Sequence, residues 1–323
     1  MKVVTVGTSI ITSTNIEQMK MAGIEVFACV SRDLERAKQF AKENGIEHYA
    51  DNFDKVLKSN DFDFVYIGLP NSLHYEYAKK ALENSKNVIL EKPMCVNQKQ
   101  VKELISLALT KGLYVFENMK TYHSLAYKTL IHDIDKIKPI RSVNLNYSKY
   151  SSKYDLFKSH KEQTIFSLKY ASGALMDLNC YNVAFAIGLF GLPVSSTYIC
   201  NKKDDIDISG TAILKYPDFI VNAIACKDSN AKNYIDICGE RGHIYSEIDV
   251  SIMDEYKIYL NDGSVKEVKL KEPFAFKPAL RTFKNIYENN DTYKYDYYMK
   301  LSLMEARVLD DLRKSASIKY EGE

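Results

Sequence analysis

An apolar strand meets a turn of small residues in the stretch Val3-Val4-Thr5-Val6-Gly7-Thr8-Ser9. A helix is expected next, around Asn15–Ala22, followed by a second apolar strand, Val26–Val30. Short apolar strands that alternate with amphipathic helices are typical of a parallel sheet wound with crossover helices. Because this alternation continues to Glu117, the sequence predicts a doubly wound α/β domain that binds a nucleotide.

Further strands and helices complete the predicted first domain. The strands are Phe64–Gly68, Val88–Leu90 and Leu113–Phe116. One helix is predicted where Leu34, Ala37, Phe40 and Ala41 fall on one face at helical spacing. Two more are predicted at Leu73–Glu83 and Gln98–Lys111. We therefore assign residues 1–119 to an N-terminal doubly wound domain that binds a nucleotide.

The second part of the chain has a different pattern. After a helix predicted at Ser124–Asp135, apolar and polar residues alternate over Val143–Tyr147, which indicates a strand with one face in water. A long helix is predicted from Gly173 to Phe190, and Asn261-Asp262-Gly263 indicates a tight hairpin. Other strands are predicted near 194–200, 207–215, 219–226, 234–238, 243–247, 256–260, 264–270 and 318–320, and other helices near 278–288 and 294–315. Residues 120–323 should thus form an α+β domain with a large, mostly antiparallel open sheet that helices cover on one face.

Composition argues against several classes of partner. The 44 basic and 42 acidic residues leave a net charge of +2, which gives no electrostatic basis for binding nucleic acid or a membrane surface. No apolar run reaches the roughly 20 residues that a membrane span needs, and no signal peptide is recognised. The six cysteines are scattered without a C-x-x-C pair, so we expect reduced thiols, a cytoplasmic location and no metal site.

The loop after the first strand, Gly7-Thr8-Ser9-Ile10-Ile11-Thr12, lies where dinucleotide-binding domains carry G-x-G-x-x-G. Only the first glycine is present, although the second normally admits the pyrophosphate and the third lets the helix pack on the strand. One interpretation is that the backbone N–H groups and hydroxyls of this loop still hold a phosphate. The other is that its Ser and Thr residues only cap a helix. The loop by itself leaves both open.

The end of the second strand carries Ser31-Arg32-Asp33, where an NAD-binding domain usually places an acidic residue against the ribose. A hydroxyl and a guanidinium suit a 2′-phosphate, so NADP is favoured, while Asp33 keeps NAD possible. The alternative is that Ser31 or Asp33 caps the next helix and Arg32 lies in solvent.

The tetrapeptide Glu91-Lys92-Pro93-Met94 follows the apolar strand Val88–Leu90. The carboxyl ends of parallel strands are where open α/β sheets bind ligands. Proline restricts both its own backbone and that of the preceding residue, so the Lys92 ammonium would be held in one direction. An ordinary turn after a strand is the alternative.

Asp177 and Tyr181 are four residues apart near the start of the long predicted helix. At that spacing they share one helix face and can serve one small site. A free tyrosine is a poor proton carrier because its pKa is about 10, but a nearby lysine ammonium would lower that value. The alternative is an acidic residue in the first turn and a packed tyrosine.

Together these motifs resemble the glucose–fructose oxidoreductase/inositol dehydrogenase (Gfo/Idh/MocA) family. The resemblance covers essentially the whole chain and includes five stretches, in the order found in the family: 31–37, 66–74, 87–94, 173–181 and 239–242. It implies a Rossmann domain, a second domain whose open sheet forms the interface of a homodimer or homotetramer, and hydride transfer between a nicotinamide and a hydroxyl-bearing carbon. Sugars, inositols and diols are the implied substrates.

The resemblance also implies residue roles. Lys92 matches the family's catalytic lysine, and Asp177 and Tyr181 match its aspartate and its His-or-Tyr position. Tyrosine at that position looks like the dihydrodiol dehydrogenase and glucose–fructose oxidoreductase branches. Residues matching the family's cofactor contacts are Gly7, Thr8, Ser9, Ile10, Ile11, Ser31, Arg32, Leu69, Pro70, Asn71, His74, Glu91 and Lys92. A non-catalytic dinucleotide-binding sensor on the same fold is the alternative function.

Overall fold

The computed structural model describes residues 1–322, which divide into two compact units. The first unit contains Met1–Asn118 and Phe276–Leu303, and the second contains Met119–Ala275 and residues 304–322. The sequence-based division into 1–119 and 120–323 therefore differs at Met119, which groups with the second unit, and over Phe276–Leu303, which groups with the N-terminal residues. Hydrophobic periodicity predicts that a helix has an apolar face, but it does not predict which sheet that face covers.

The first unit contains a parallel sheet whose strands alternate with helices. The strands are β1 (Lys2–Val6), β2 (Glu25–Val30), β3 (His48–Ala50), β4 (Phe64–Ile67), β5 (Asn87–Leu90) and β6 (Val115–Glu117). The helices are α1 (Ile10–Met21), α2 (Leu34–Asn44), α3 (Phe53–Val56), α4 (Asn71–Glu83) and α5 (Gln98–Lys111). The strands pair in parallel in the order β3-β2-β1-β4-β5-β6, which is the order of dinucleotide-binding doubly wound sheets. The predicted Rossmann fold is confirmed.

The second unit contains an eight-stranded sheet. Its helices are α6 (Leu125–Asp133), α7 (Tyr154–Lys158) and α8 (Cys180–Phe190). Its strands are β7 (Ile140–Ser148), β8 (Ser195–Lys203), β9 (Ile206–Lys215), β10 (Ile220–Cys226), β11 (Tyr234–Gly239), β12 (Gly242–Ser246), β13 (Glu255–Leu260) and β14 (Val265–Lys269). The order is β14-β13-β12-β11-β7-β10-β9-β8, and β7 and β10 are the one parallel pair among these strands. The predicted mostly antiparallel sheet is confirmed.

Alternation along the central strands gives this sheet one buried and one more open face. Val143 and Leu145 of β7 and Ala223 of β10 are fully buried. Between them, Asn144 and Asn222 are only partly buried, and Asn222 Nδ2 donates to Asn144 Oδ1 at 3.0 Å. Helix α8 packs against β7 and β10, so the apolar face of the sheet and the apolar helix form one core.

Two helices close the chain, α9 (Lys277–Asn289) and α10 (Thr292–Ser315). Phe283 of α9 stacks on Phe116 of β6 with ring centroids 4.6 Å apart. The Gln18 side-chain oxygen of α1 accepts hydrogen bonds from the N–H groups of Phe276 and Lys277, at 2.7 and 2.9 Å. These contacts explain why α9 belongs to the first unit.

Two predicted elements need correction. Helix α1 begins at Ile10 and not near Asn15, because the chain turns into the helix directly after the first strand. The strand predicted at 318–320 does not form; Ile318 and Tyr320 are buried by packing, and the Tyr320 hydroxyl donates to the Ser172 carbonyl at 3.3 Å. No helix within residues 1–322 is both long and apolar enough to cross a membrane.

Candidate active site

Gly7 and Gly68 face each other where the strand order of the first sheet reverses. Gly7 follows β1 and Gly68 follows the neighbouring β4, and the Gly68 N–H donates to the Val6 carbonyl at 2.9 Å. Gly7 has φ +109°, and a Cβ there would overlap the backbone oxygen of Gly68. Glycine is therefore required by both conformation and space. Open α/β sheets bind ligands in the crevice at this switch point.

Thr12 stands in the place of the third glycine of the dinucleotide-binding motif. Its side chain is fully buried, and a Cβ on Gly68 would overlap the Thr12 hydroxyl oxygen. The missing side chain at Gly68 therefore makes room for Thr12, and α1 packs closely on the sheet without a glycine of its own. A glycine directly after the adjacent strand compensates for the one that the motif lacks.

Ser9 caps helix α1. Its hydroxyl oxygen accepts a hydrogen bond from the Thr12 N–H at 3.1 Å and lies 3.0 Å from the Thr12 hydroxyl, so the capping interpretation is correct for Ser9. The first N–H groups of a helix still lack partners within the helix, and the helix dipole favours an anion beside them. Ile10, which is 85% exposed, lies at this turn. A pyrophosphate group fits the turn, because the N-terminus of α1 supplies N–H donors there.

Arg32 is the exposed basic residue at the carboxyl end of β2. The Asp33 carboxylate accepts a hydrogen bond from the Arg36 N–H at 2.8 Å and so caps α2, as one of the two interpretations predicted. The Ser31 hydroxyl accepts a hydrogen bond from the Asp33 N–H at 3.4 Å. With Asp33 used as a cap, the guanidinium of Arg32 is the charged group of this turn that suits a 2′-phosphate.

Glu91 is held in a buried network of hydrogen bonds. Its carboxylate oxygen Oε1 accepts from the Tyr66 hydroxyl at 2.7 Å, from Asn118 Nδ2 at 2.7 Å and from Asn15 Nδ2 at 3.3 Å. Asn118 Nδ2 also donates to Asn15 Oδ1 at 2.9 Å. Side chains from β4, from α1 and from the residue after β6 thus hold Glu91, the residue before Lys92. Direct contact between Glu91 and a cofactor, as the resemblance implies, stays a prediction.

The turn around Lys92 is fixed from its other side by Glu117. The Lys92–Pro93 peptide bond is cis, and Lys92 is half-buried. The Met94 N–H donates to the Glu117 carboxylate at 2.7 Å. Burial, together with the nearby Glu91 charge, raises the pKa of Glu117 to about 7, although hydrogen bonds from Ser302 and Met94 and the charge of Lys92 oppose the shift. The backbone on both sides of Lys92 is therefore anchored to buried side chains.

His74 links this turn to the loop after β4. Its Nε2 lies 2.9 Å from the Leu69 carbonyl oxygen and its Nδ1 lies 3.0 Å from the Pro93 carbonyl oxygen. Burial lowers the pKa of this imidazole. His74 therefore holds two predicted cofactor loops together, and Asn71 begins helix α4 between them. Whether Leu69, Pro70 and Asn71 contact a cofactor stays a prediction.

Asp177 lies in a wide helical turn in the second unit. Leu175–Asn179 forms a π-helix, in which the Cys180 N–H donates to the Leu175 carbonyl five residues back, and α8 continues from Cys180. The predicted helix therefore exists, but its first part is wider than the α-helix assumed from the spacing. Such turns often occur at functional sites. The Asp177 side chain is 33% exposed.

A buried lysine, Lys227, forms an ion pair with Asp177. The Lys227 ammonium lies 2.8 Å from Asp177 Oδ2, and its side chain is only 2% exposed. It also donates to the Ile165 carbonyl at 2.7 Å and lies 4.4 Å from the ring centroid of Phe166. The sequence analysis did not identify Lys227. Its position directly after the apolar strand β10 is the feature of the sequence that could have indicated it.

Tyr181 follows Asp177 on the same helical segment and is 7% exposed. Its ring centroid lies 5.9 Å from that of Tyr147 on β7. The Lys120 ammonium lies 5.5 Å from the Tyr181 ring centroid, within the range of a cation–π interaction. Lys120 is a second residue that the sequence analysis missed, because that analysis considered only Lys92 as the cation near Tyr181.

Within each unit, predicted site residues therefore lie in defined groups. In the first, Glu91, Lys92 and His74 belong to one anchored region at the carboxyl ends of β4 and β5. In the second, Asp177 and Tyr181 share a helical segment beside basic residues. The convergence of Lys92 with Asp177 and Tyr181 stays a prediction.

The sheet order, the glycine turn and the capped helix at the switch point define the first unit as a dinucleotide-binding domain. Residues 1–119 match the model of the Gfo/Idh/MocA oxidoreductase family, described as having an NAD-binding Rossmann fold. The chain is 31% identical to scyllo-inositol 2-dehydrogenase (NADP(+)) of Bacillus subtilis (strain 168), over 98% of this chain and 97% of that protein. The chain belongs to this family, and it is an NAD(P)-dependent oxidoreductase that acts on CH–OH groups.

A further relative agrees with this assignment, and a solved structure shares the fold. Trans-1,2-dihydrobenzene-1,2-diol dehydrogenase of Xenopus tropicalis is 26% identical over 79% of this chain and 75% of that protein. A 3-ketoreductase from Actinomadura kijaniata, solved with NADP and TDP-benzene, has a TM-score of 0.84 at 21% identity and is matched over 98% of this chain and 97% of that one. At that identity the structural likeness concerns the fold alone. The relatives favour the catalytic interpretation over a non-catalytic sensor.

Proposed function

We propose that this protein is an NADP-dependent dehydrogenase or reductase whose substrate is a cyclic polyol or a sugar. The observation that carries the proposal is the similarity, over nearly the full length of both chains, to an enzyme named for NADP(+) and scyllo-inositol. The exposed Arg32 after β2 supports NADP, because a guanidinium suits the 2′-phosphate that distinguishes NADP from NAD.

Three side chains carry the proton chemistry in this proposal. When bound, the nicotinamide accepts or supplies the hydride. Tyr181 exchanges the proton of the substrate hydroxyl, and Lys92 binds the substrate oxygen and favours the ionised form of Tyr181. Asp177 orients the reacting groups. The anchored backbone on both sides of Lys92 supports this role, because a catalytic group must be held in one geometry.

The proposal extends to organisation and location. Residues 1–119 bind the cofactor, and 120–323 contribute the substrate site and the contacts of a homodimer or homotetramer through the open face of the second sheet. Exposed apolar side chains at Ile199 and Val265, 65% and 57% exposed, support an interface there. Free thiols at Cys29, Cys95 and the other four cysteines support a reducing, cytoplasmic location.

The decisive experiment compares Lys92→Met with Lys99→Met, a change at an exposed lysine of α5 that serves as the control. Both variants and the wild type are assayed over a panel of inositols, sugars and diols with NADP and NAD. We expect Lys92→Met to lose turnover and to keep NADPH binding, measured by nicotinamide fluorescence, while Lys99→Met behaves as wild type. Unchanged turnover in Lys92→Met would refute the role of Lys92. NADPH binding without turnover of any substrate by the wild type would favour the sensor.

A further inference from the structure

The ion pair between Lys227 and Asp177 joins a buried cation to a carboxylate that is partly open to solvent. Lys227 follows β10, and its backbone is fixed on both sides: its N–H donates to the Ile208 carbonyl at 2.8 Å, and its carbonyl accepts from the Ser151 N–H at 2.9 Å. The side chain is 2% exposed, whereas that of Asp177 is 33% exposed. The position of the ammonium is therefore set by the sheet, and the carboxylate adapts to it.

A second carboxylate near Lys227, that of Asp207, has hydrogen-bond donors of its own. Its Oδ2 accepts hydrogen bonds from the Leu175 N–H at 2.6 Å and from the Tyr198 hydroxyl at 2.9 Å. Asp207 thereby fixes the start of the wide turn that carries Asp177. A buried ammonium is stable only when it is paired, and the carboxylate within ion-pair distance of Lys227 is that of Asp177.

We propose that Lys227 is a positioning residue for the reaction: it holds Asp177 in one rotamer at the substrate site and keeps its negative charge compensated. This inference rests on the proposed function. A carboxylate that is tied to a rigid strand end can orient a substrate hydroxyl without losing side-chain freedom at each turnover. Lys227 acts through Asp177 and is not itself in contact with substrate in this proposal.

The test compares Lys227→Met with Lys86→Met. Lys86 is a matched control in the first unit: it is 6% exposed, donates to the carbonyls of Ser59 and Phe62, and lies 4.4 Å from the Phe62 ring centroid. Methionine keeps most of the apolar stem in both places and removes the charge. Both variants should lose thermal stability, since each leaves carbonyl oxygens without a donor.

Kinetics separate positioning from structural support. We expect Lys227→Met to lower kcat by about 10- to 100-fold with KM and NADPH affinity nearly unchanged, and Lys86→Met to leave kcat unchanged. In an Asp177→Asn background, adding Lys227→Met should lower kcat little further, because the residue through which it acts is already altered. Equal kcat values for Lys227→Met and Lys86→Met, or fully additive losses in the double variant, would overturn the inference.

Thermal melts provide a measurement that does not depend on turnover. Asp177→Asn leaves the buried Lys227 charge without its partner, so adding Lys227→Met should recover part of the lost melting temperature. Additive losses in the melts would overturn the pairing. A wild type without activity on any substrate would refute the proposed function, whereas an active wild type with unaffected Lys227→Met would refute only the role of Lys227.

Discussion

Replacing Glu117 by glutamine should remove a pH dependence from the stability of the first unit. The carboxyl is 5% exposed, and burial raises its pKa from the ordinary 4.5 to about 7 in the folded protein. Below pH 4.5 the folded and unfolded chains both carry the proton. As the pH rises toward 7, the unfolded chain releases the proton first, so the folded state loses stability until both forms are ionised.

The size of the effect follows from the shift. A rise from 4.5 to about 7 corresponds to roughly 3 kcal/mol, at about 1.4 kcal/mol per pKa unit. For a domain of this size that loss is worth on the order of 10 °C in melting temperature. Glutamine cannot ionise, and its side-chain oxygen can still accept the hydrogen bond from the Met94 N–H that Glu117 accepts at 2.7 Å.

The assay is a series of thermal melts between pH 5 and pH 8 for wild type, Glu117→Gln and the exposed control Glu47→Gln. We expect the melting temperature of Glu117→Gln to rise relative to wild type as the pH increases and to level off above pH 7. Glu47→Gln should follow the wild type throughout, because that side chain is exposed. A constant difference between Glu117→Gln and wild type across the range would refute the reasoning.

Two further predictions concern residues near the predicted cofactor site, one at the turn after β4 and one after β2. Gly68→Ala should destabilise the protein by about 1–3 kcal/mol, because its Cβ would overlap the Thr12 hydroxyl. Adding Thr12→Ala should recover much of this loss. Thermal melts of the single and double variants test the prediction, and no recovery in the double variant would contradict it. Arg32→Ala should weaken NADPH binding more than NADH binding, measured by nicotinamide fluorescence. Equal weakening of both would argue against contact with a 2′-phosphate.

The alternation of strands and helices was enough to predict five of the six strands of the first sheet, because buried parallel strands leave continuous apolar runs such as Val88–Leu90. The short and largely exposed edge strand β3 leaves no such run and was not predicted. The compensation between Thr12 and Gly68 could not be predicted in the same way. More than fifty residues separate them, and only the pairing of β1 with β4 brings their turns together. The placement of Phe276–Leu303 was missed for a similar reason, since no local pattern names the partner of an apolar helix face.

The candidate site, too, was predicted in its local pattern and not in its long-range contacts. The helical spacing of Asp177 and Tyr181 pointed to one shared segment, and they do share it, but the wide turn between Leu175 and Asn179 leaves no signature in residue type. Lys227 was missed because a lysine at the end of a strand is usually solvated, and its burial depends on the segment that carries Phe166. Long-range packing therefore decides which polar residues become functional neighbours.

Because of the π-helical turn, the direction of the Asp177 carboxylate depends on the number of residues in the turn as well as on their identity. It holds one residue more than an α-helical turn, so a deletion of Leu178 would let the segment relax to α-helix. Asp177 would then precede Tyr181 by three positions of an α-helix, so the angle between the two side chains around the helix axis, and with it the direction of the carboxylate toward Lys227, would change. Among relatives, a one-residue gap at this turn would thus separate proteins that keep the ion pair from proteins that lose it, even where the aspartate and the lysine are both retained.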